Sequence, residues 1–190
     1  MLILLASVAL IGITRINAIG GDLDTVINNY FPKTVQANAV VDSVNIIARA
    51  MRNTLILDDQ GAIASEIDRV EQARTTIKEN LDILKQTIKS EEGIKFLTAV
   101  EMARNDYVGL QTSFLNLVRD GRQAEAKTLL LTTIRDKQAF YIKAIGDIIH
   151  YQTQLMTQRG EEAAQNAASA TVQMLLLAAI ALLIGIGIGY

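Results

Sequence analysis

Arg74 and Arg104 each stand inside a stripe whose spacing asks for an aliphatic side chain. One stripe runs Ile63, Ile67, Val70, then Ile77, Leu81, Leu84 and Ile88, in helical steps of three and four, and the missing member is Arg74. The other runs Leu97, Val100, Arg104, Tyr107, Gln111, Phe114 and Val118. A guanidinium placed in apolar packing costs several kcal/mol, roughly, unless partners satisfy it. What it does well is hold an anion, because its planar fork of donors matches a carboxylate in bidentate fashion, and a nearby hydroxyl adds direction. Arg104 and Tyr107 lie three residues apart and share a helix face, while Thr75 borders Arg74. The chemistry these residues suit is recognition of a small acid.

Whether they act together depends on the helices that carry them. Apolar periodicity predicts a first helix with the stripe Val40, Val44, Ala48, Met51 and Leu55, ended by the turn residues of LDDQGA at 57–62. The second helix holds Arg74 and ends near KSEEGI at 89–94. The third holds Arg104 and Tyr107 and ends at RDGRQ, where Gly121 suits a C-terminal cap. The fourth carries Leu130 or Leu131, Ile134, Gln138, Tyr141, Ile145, Ile148, Gln152 and Leu155. No strand alternation is present, so the expected fold is all-α, an antiparallel up-down four-helix bundle. Counted from the two loops at one end, Arg74 lies roughly 20 Å down, Tyr107 roughly 20 Å, Arg104 roughly 24 Å and Arg135 roughly 21 Å, with Gln138 a turn below. Arg49 and Arg52 sit one and two turns nearer the tip on the first helix. The expectation is a single polar layer fed by all four helices.

Composition removes most other functions. With 190 residues, half of them apolar but 5% aromatic, one Pro and a net charge of −2, the chain lacks the basic footprint of a nucleic-acid binder. It has no Cys, which excludes disulfides, thiolate catalysis and iron–sulfur clusters. A single histidine, His150, leaves no imidazole pair for zinc or di-iron. No nucleophile–base pair, paired acids on one face or phosphate loop appears, so neither an enzyme nor a cofactor is expected.

The ends differ from the middle. Residues 172–189, VQMLLLAAIALLIGIGIG, contain one polar side chain, Gln173, and are long enough to span the hydrocarbon core as a helix. Residues 1–14 are apolar up to Arg15, with neither a basic region before them nor a small-residue cleavage site after. The organisation expected is a first transmembrane helix over 1–18 whose beginning is cut off, an extracytoplasmic sensor bundle over 19–170, and a second transmembrane helix over 171–190. Pro32 is expected to kink or interrupt a helix just outside the membrane.

Plainer readings compete with the acid site. Arg74 could pair with Glu71 or reach Glu101, and Arg104 could pair with Glu101. Arg49 and Arg52 suit a solvated face or a dimer contact as well as a site. Gln138 and Gln152 read as core hydrogen-bonders, Tyr141 and Tyr151 as packing, and His150 as a surface histidine.

Two stretches, IIARAMRNTLILDD and GIKFLTAVEMARNDYVGLQTSFLNLVRDGRQAEAKTLL, resemble the ligand-binding domain of bacterial methyl-accepting chemotaxis proteins, over nearly the whole chain. The resemblance implies a periplasmic bundle between two inner-membrane helices, a homo-oligomer (a dimer first of all), and cytoplasmic signalling partners reached through chain beyond Tyr190. Among such receptors, the pairing of Arg104 with Tyr107 resembles those that sense citric-acid-cycle acids such as malate and citrate. On that basis Arg104 and Tyr107 hold carboxylates and Arg74 opposes them. Signalling follows if a ligand bridging helices shifts the fourth helix against the first. The same architecture also serves membrane histidine kinases as a sensor domain, and a bundle that only binds a protein partner is the remaining reading.

Overall fold

The computed structural model describes residues 2–189, with side chains from 6 to 186. Its elements in chain order are α1 (Leu2–Thr25), a π-helical turn (Val26–Tyr30), α2 (Phe31–Thr54), α3 (Gln60–Thr87), α4 (Glu91–Arg119), α5 (Gln123–Leu129), a second π turn (Leu130–Ile134) and α6 (Arg135–Gly189). No strand occurs among the described residues. Contacts divide the chain into a unit of residues 32–152 and a unit made of residues 1–31 with 153–190.

The 32–152 unit is the bundle. Each of its turns is written into the local sequence. Asp59 caps α3, its carboxylate accepting from the Ala62 amide at 2.7 Å. Ser90 caps α4 in the same way, accepting from the Gly93 amide at 3.2 Å. The end of α4 turns through Gly121 at φ 71°, with Arg122 N–H donating to the Leu117 carbonyl and Gly121 N–H to the Val118 carbonyl. That pair of bonds is a Schellman motif, and the left-handed position is one that glycine occupies without strain. The core between the helices is formed by Val40, Val44, Ile47 and Met51 of α2, Val70, Ile77, Leu81 and Leu84 of α3, Val100, Tyr107, Phe114 and Leu115 of α4, and Ile134, Tyr141, Ile145 and Ile148 beyond α5.

The helices depart from regularity at two places. Pro32 marks an interruption of the regular α-helix, as its residue type predicts, without a break in the helical path. It is the second residue of α2, and the π turn before it, closed by Phe31 N–H on the Val26 carbonyl five residues back, accommodates its missing donor and its ring. The expected fourth helix is likewise not regular, because the backbone widens at Leu130–Ile134, closed by Arg135 N–H on the Leu130 carbonyl. Leu130 and Ile134, at the two ends of that turn, are both buried.

In the other unit, Gly12 of α1 faces the Met174 sulfur of α6, a Cβ at Gly12 standing 3.7 Å from it. Arg159 pairs with Asp22 at 3.9 Å and Glu162 at 3.0 Å. Large apolar side chains, among them Leu10, Ile16, Leu175, Leu182 and Leu183, point outward, each more than half exposed. Among the described residues one helix is long and apolar enough to cross a membrane, within 123–186.

Candidate functional site

Neither stripe arginine occupies the core position its spacing suggested. In α3 the inward series steps Val70, Ala73, Ile77, and in α4 it steps Val100, Ala103, Tyr107. In both helices an alanine one residue earlier takes the buried place, and the arginine is left at the edge of the core, half-buried. The long stem packs there while the head reaches sideways.

Arg74 uses that reach to tie α3 to α4. Its Nε donates to Gln111 Oε1 at 2.8 Å, its Nη1 to Glu71 Oε1 at 2.9 Å, and its Nη2 lies 3.4 Å from Thr112 Oγ1. Glu71 is the partner that the plainer reading named; Glu101 instead pairs with Lys85. Arg104 makes no such bonds. Its Nε is buried with no hydrogen-bond partner.

The single expected layer resolves into two tiers. Gln111, which holds Arg74, is seven residues along α4 from Arg104, or about 10 Å. The upper tier brings Arg52 of α2 and Arg74 of α3 close enough for their charges to act on the Tyr107 hydroxyl. The lower tier brings Arg104 of α4 to bear on Tyr141 of α6 and on Asp82 of α3. The two tyrosines join the tiers, with ring centroids 5.9 Å apart and planes inclined at 48°.

Both phenols are enclosed and unsatisfied. The Tyr107 hydroxyl lies against the Gln111 side chain without reaching hydrogen-bond geometry, and the Tyr141 hydroxyl also has no hydrogen-bond partner. Burial drives the pKa of Tyr107 well above its ordinary value, opposed less strongly by Gln111, Arg52 and Arg74. Tyr141 is raised for the same reason, with Arg104 opposing and Tyr107 reinforcing. Three donors, Arg104 Nε and two phenolic O–H groups, are therefore each buried without a hydrogen-bond partner, on neighbouring turns of the bundle.

The remaining candidates lie outside this cluster. Thr75 is exposed, its hydroxyl donating to the Glu71 carbonyl of its own helix at 3.1 Å. Arg49 and Arg135 are exposed, and Gln138 is half-buried. Arg52 is exposed as well, and with Lys127 it borders a cleft of about 210 Å³ floored by Leu55, Ile56, Leu130 and Leu131. Larger clefts of about 390 and 280 Å³ open between α3 and α4 near the tip and between α2 and α3. None of these three is lined by Arg104 or Tyr107.

Sequence reading undervalued two side chains. Spacing alone assigns Tyr141 to packing and Gln111 to the stripe, yet one is half of the phenol pair and the other anchors Arg74. The signal available for both was a polar atom at an inward position. Gln152 is buried as expected of a core residue, but its Oε1 has no partner. Tyr151 does more than pack, its hydroxyl donating to Ser90 Oγ at 3.0 Å while its ring lies 5.4 Å from that of Phe96.

Helical elements capped into antiparallel neighbours, with polar groups enclosed between them, define a four-helix bundle. The chain belongs to the family of four helix bundle sensory modules for signal transduction, whose family model matches residues 1–167. It is thus a sensory module of the type found in chemotaxis signal transducers. No curated protein matches the chain.

Proposed function

We propose that this protein is a transmembrane chemoreceptor whose bundle senses small di- or tricarboxylates such as malate and citrate in the periplasm. The observation that carries the reading is the trio of buried, unpartnered donors formed by Arg104 Nε, Tyr107 OH and Tyr141 OH. A carboxylate supplies the acceptors this trio lacks, and charge-assisted bonds from a guanidinium are about twice as strong as neutral ones. Arg74 and Arg52, whose charges already bear on Tyr107, meet a second carboxyl of the same ligand.

The closed packing of the trio supplies a mechanism. An acid reaches these donors only if α4 and α6 part, so binding favours a displaced arrangement of α6 and can shift it by no more than the ligand's differential affinity for the two arrangements. Helix α6 is one element from Arg135 to Gly189 and includes the apolar run read as a membrane span. Its displacement is the signal that cytoplasmic partners receive. Arg49, on the outer face of α2, and Arg52 beside it fit a contact with a second copy of the chain in a dimer.

The test is calorimetric titration of the full chain in detergent with malate, succinate, citrate and aspartate. Micromolar-range binding of the di- or tricarboxylates is expected, lost in Arg104→Ala, weakened in Tyr107→Phe and Tyr141→Phe, and partly kept in Arg104→Lys. Aspartate is expected to bind more weakly, because the cluster has no acceptor for its ammonium. A folded Arg104→Ala that binds as tightly as the parent overturns the site.

A further inference from the structure

The unit of residues 1–31 and 153–190 contains two cations, Arg15 and Arg159. Arg159 is served by two acids, Asp22 and Glu162. Arg15 is half-buried and has no acid, hydrogen bond or other partner among the described residues. It lines a cleft of about 250 Å³ together with Leu10, Ile11, Thr14 and Gln173. The Thr14 hydroxyl already donates to the Leu10 carbonyl at 2.8 Å, so the free donors of the cleft are the Arg15 guanidinium and the Gln173 amide.

The level of this cleft along the two helices is what gives it meaning. Gly12 faces Met174, so α1 and α6 meet there in antiparallel register, and Arg15 and Gln173 both lie just outward of that contact. Inward of it both helices present exposed aliphatic side chains, Leu10 on one and Leu175, Leu182 and Leu183 on the other. Outward of it exposed apolar residues continue at Ile16, Leu23 and Val172, now interspersed with Asn17, Asp22, Asn166 and Ser169. Arg15 is the first charged residue on α1 and Gln173 the one polar side chain in 172–189, so on each helix the residue marks where the uninterrupted apolar run ends. A half-desolvated guanidinium beside an apolar run favours an anion, and the anionic groups that border the hydrocarbon core of a bilayer are phosphates.

We infer that Arg15 and Gln173 form a binding site for the phosphate of a membrane phospholipid, with preference for an anionic headgroup, and that acyl chain packs over Leu10 and Ile11. Guanidinium offers paired donors to two phosphate oxygens, and the amide offers one more from the facing helix. The site seats the lipid across both helices, where it bridges them. This inference rests on the membrane reading proposed above.

The experiment uses the full chain reconstituted in phosphatidylcholine vesicles and nanodiscs with a minor share of phosphatidylglycerol. Flotation reports insertion, and native mass spectrometry of the chain released from nanodiscs counts retained lipids. The parent is expected to retain phosphatidylglycerol over phosphatidylcholine. Arg15→Gln lowers that retention about fivefold, the scale of one basic side chain near a membrane surface. Arg15→Lys keeps part of it, Gln173→Leu loses less, and Arg159→Gln retains lipid as the parent does. An Arg15→Gln chain that floats normally and retains as much phosphatidylglycerol as the parent overturns the site alone. Failure of the parent to float with vesicles overturns the site and the membrane reading together. Saturable binding of inorganic phosphate to the parent in lipid-free detergent, lost in Arg15→Gln, assigns the cleft to a dissolved anion and overturns the lipid.

Discussion

Tyr107 of α4 and Tyr141 of α6 face each other across the bundle interior, 5.9 Å between ring centroids, with both hydroxyls buried and neither in a hydrogen bond. Tilted aromatic packing favours this arrangement, whereas two dry phenols oppose it. The pair is comfortable as rings and unsatisfied as hydroxyls. That tension separates a role in stability from a role in binding.

Removing one hydroxyl should therefore leave the fold as stable or make it more so. Tyr107→Phe and Tyr141→Phe keep the ring contact and delete an unpaired polar group, a gain of up to about 1 kcal/mol. Thermal unfolding followed by circular dichroism checks this. The same variants are expected to bind carboxylates less well, so stability and affinity move in opposite directions.

The raised tyrosine pKa values make a prediction at alkaline pH. A phenol whose folded-state pKa exceeds its unfolded value near 10 contributes stability that is fully present below about pH 10. That contribution is lost as pH rises toward the folded value, because the unfolded chain ionises first. Of the five tyrosines, Tyr107 and Tyr141 are expected to develop tyrosinate absorbance only as helical circular dichroism collapses. Titration of either one while the helix signal is intact counts against this.

Arg74 is expected to matter for stability through Gln111 more than through Glu71. The Glu71 pair is a half-exposed i,i+3 contact, the kind that contributes only a few tenths of a kcal/mol, roughly. Arg74→Ala leaves the buried Gln111 Oε1 without its donor, at a cost of about 1–3 kcal/mol. The double variant Arg74→Ala with Gln111→Leu should recover most of that loss in denaturant unfolding.

Gly93 should resist substitution. A Cβ there would stand 2.4 Å from Ile88 Cγ2 and 2.7 Å from the capping Ser90 Oγ. Gly93→Ala must displace one of them and is expected to cost about 1–3 kcal/mol. Gly109→Ala, with open space at the same position, serves as the control and should be neutral or slightly stabilising on the same helix.

Much of the architecture is a local matter, and the sequence by itself determined it. Three-and-four spacing, Asp59 and Ser90 at helix starts and Gly121 at a helix end act within a few residues of themselves, so four antiparallel helices with turns near 57–59, 88–90 and 120–122 follow without reference to neighbours. The family assignment rests on that pattern. What local pattern could not decide was which of two adjacent residues faces inward. Steps of three and four turn a helix roughly 60° one way and 40° the other from a shared face, so Ala73 and Arg74, or Ala103 and Arg104, satisfy the stripe equally. Packing against three other helices broke the tie in favour of the small apolar residue. The same packing opened the π turn at Leu130–Ile134, set Gln111 beneath Arg74, and closed Tyr141 against Tyr107. Height along a helix can be counted from a loop, but side-chain direction belongs to the assembled core.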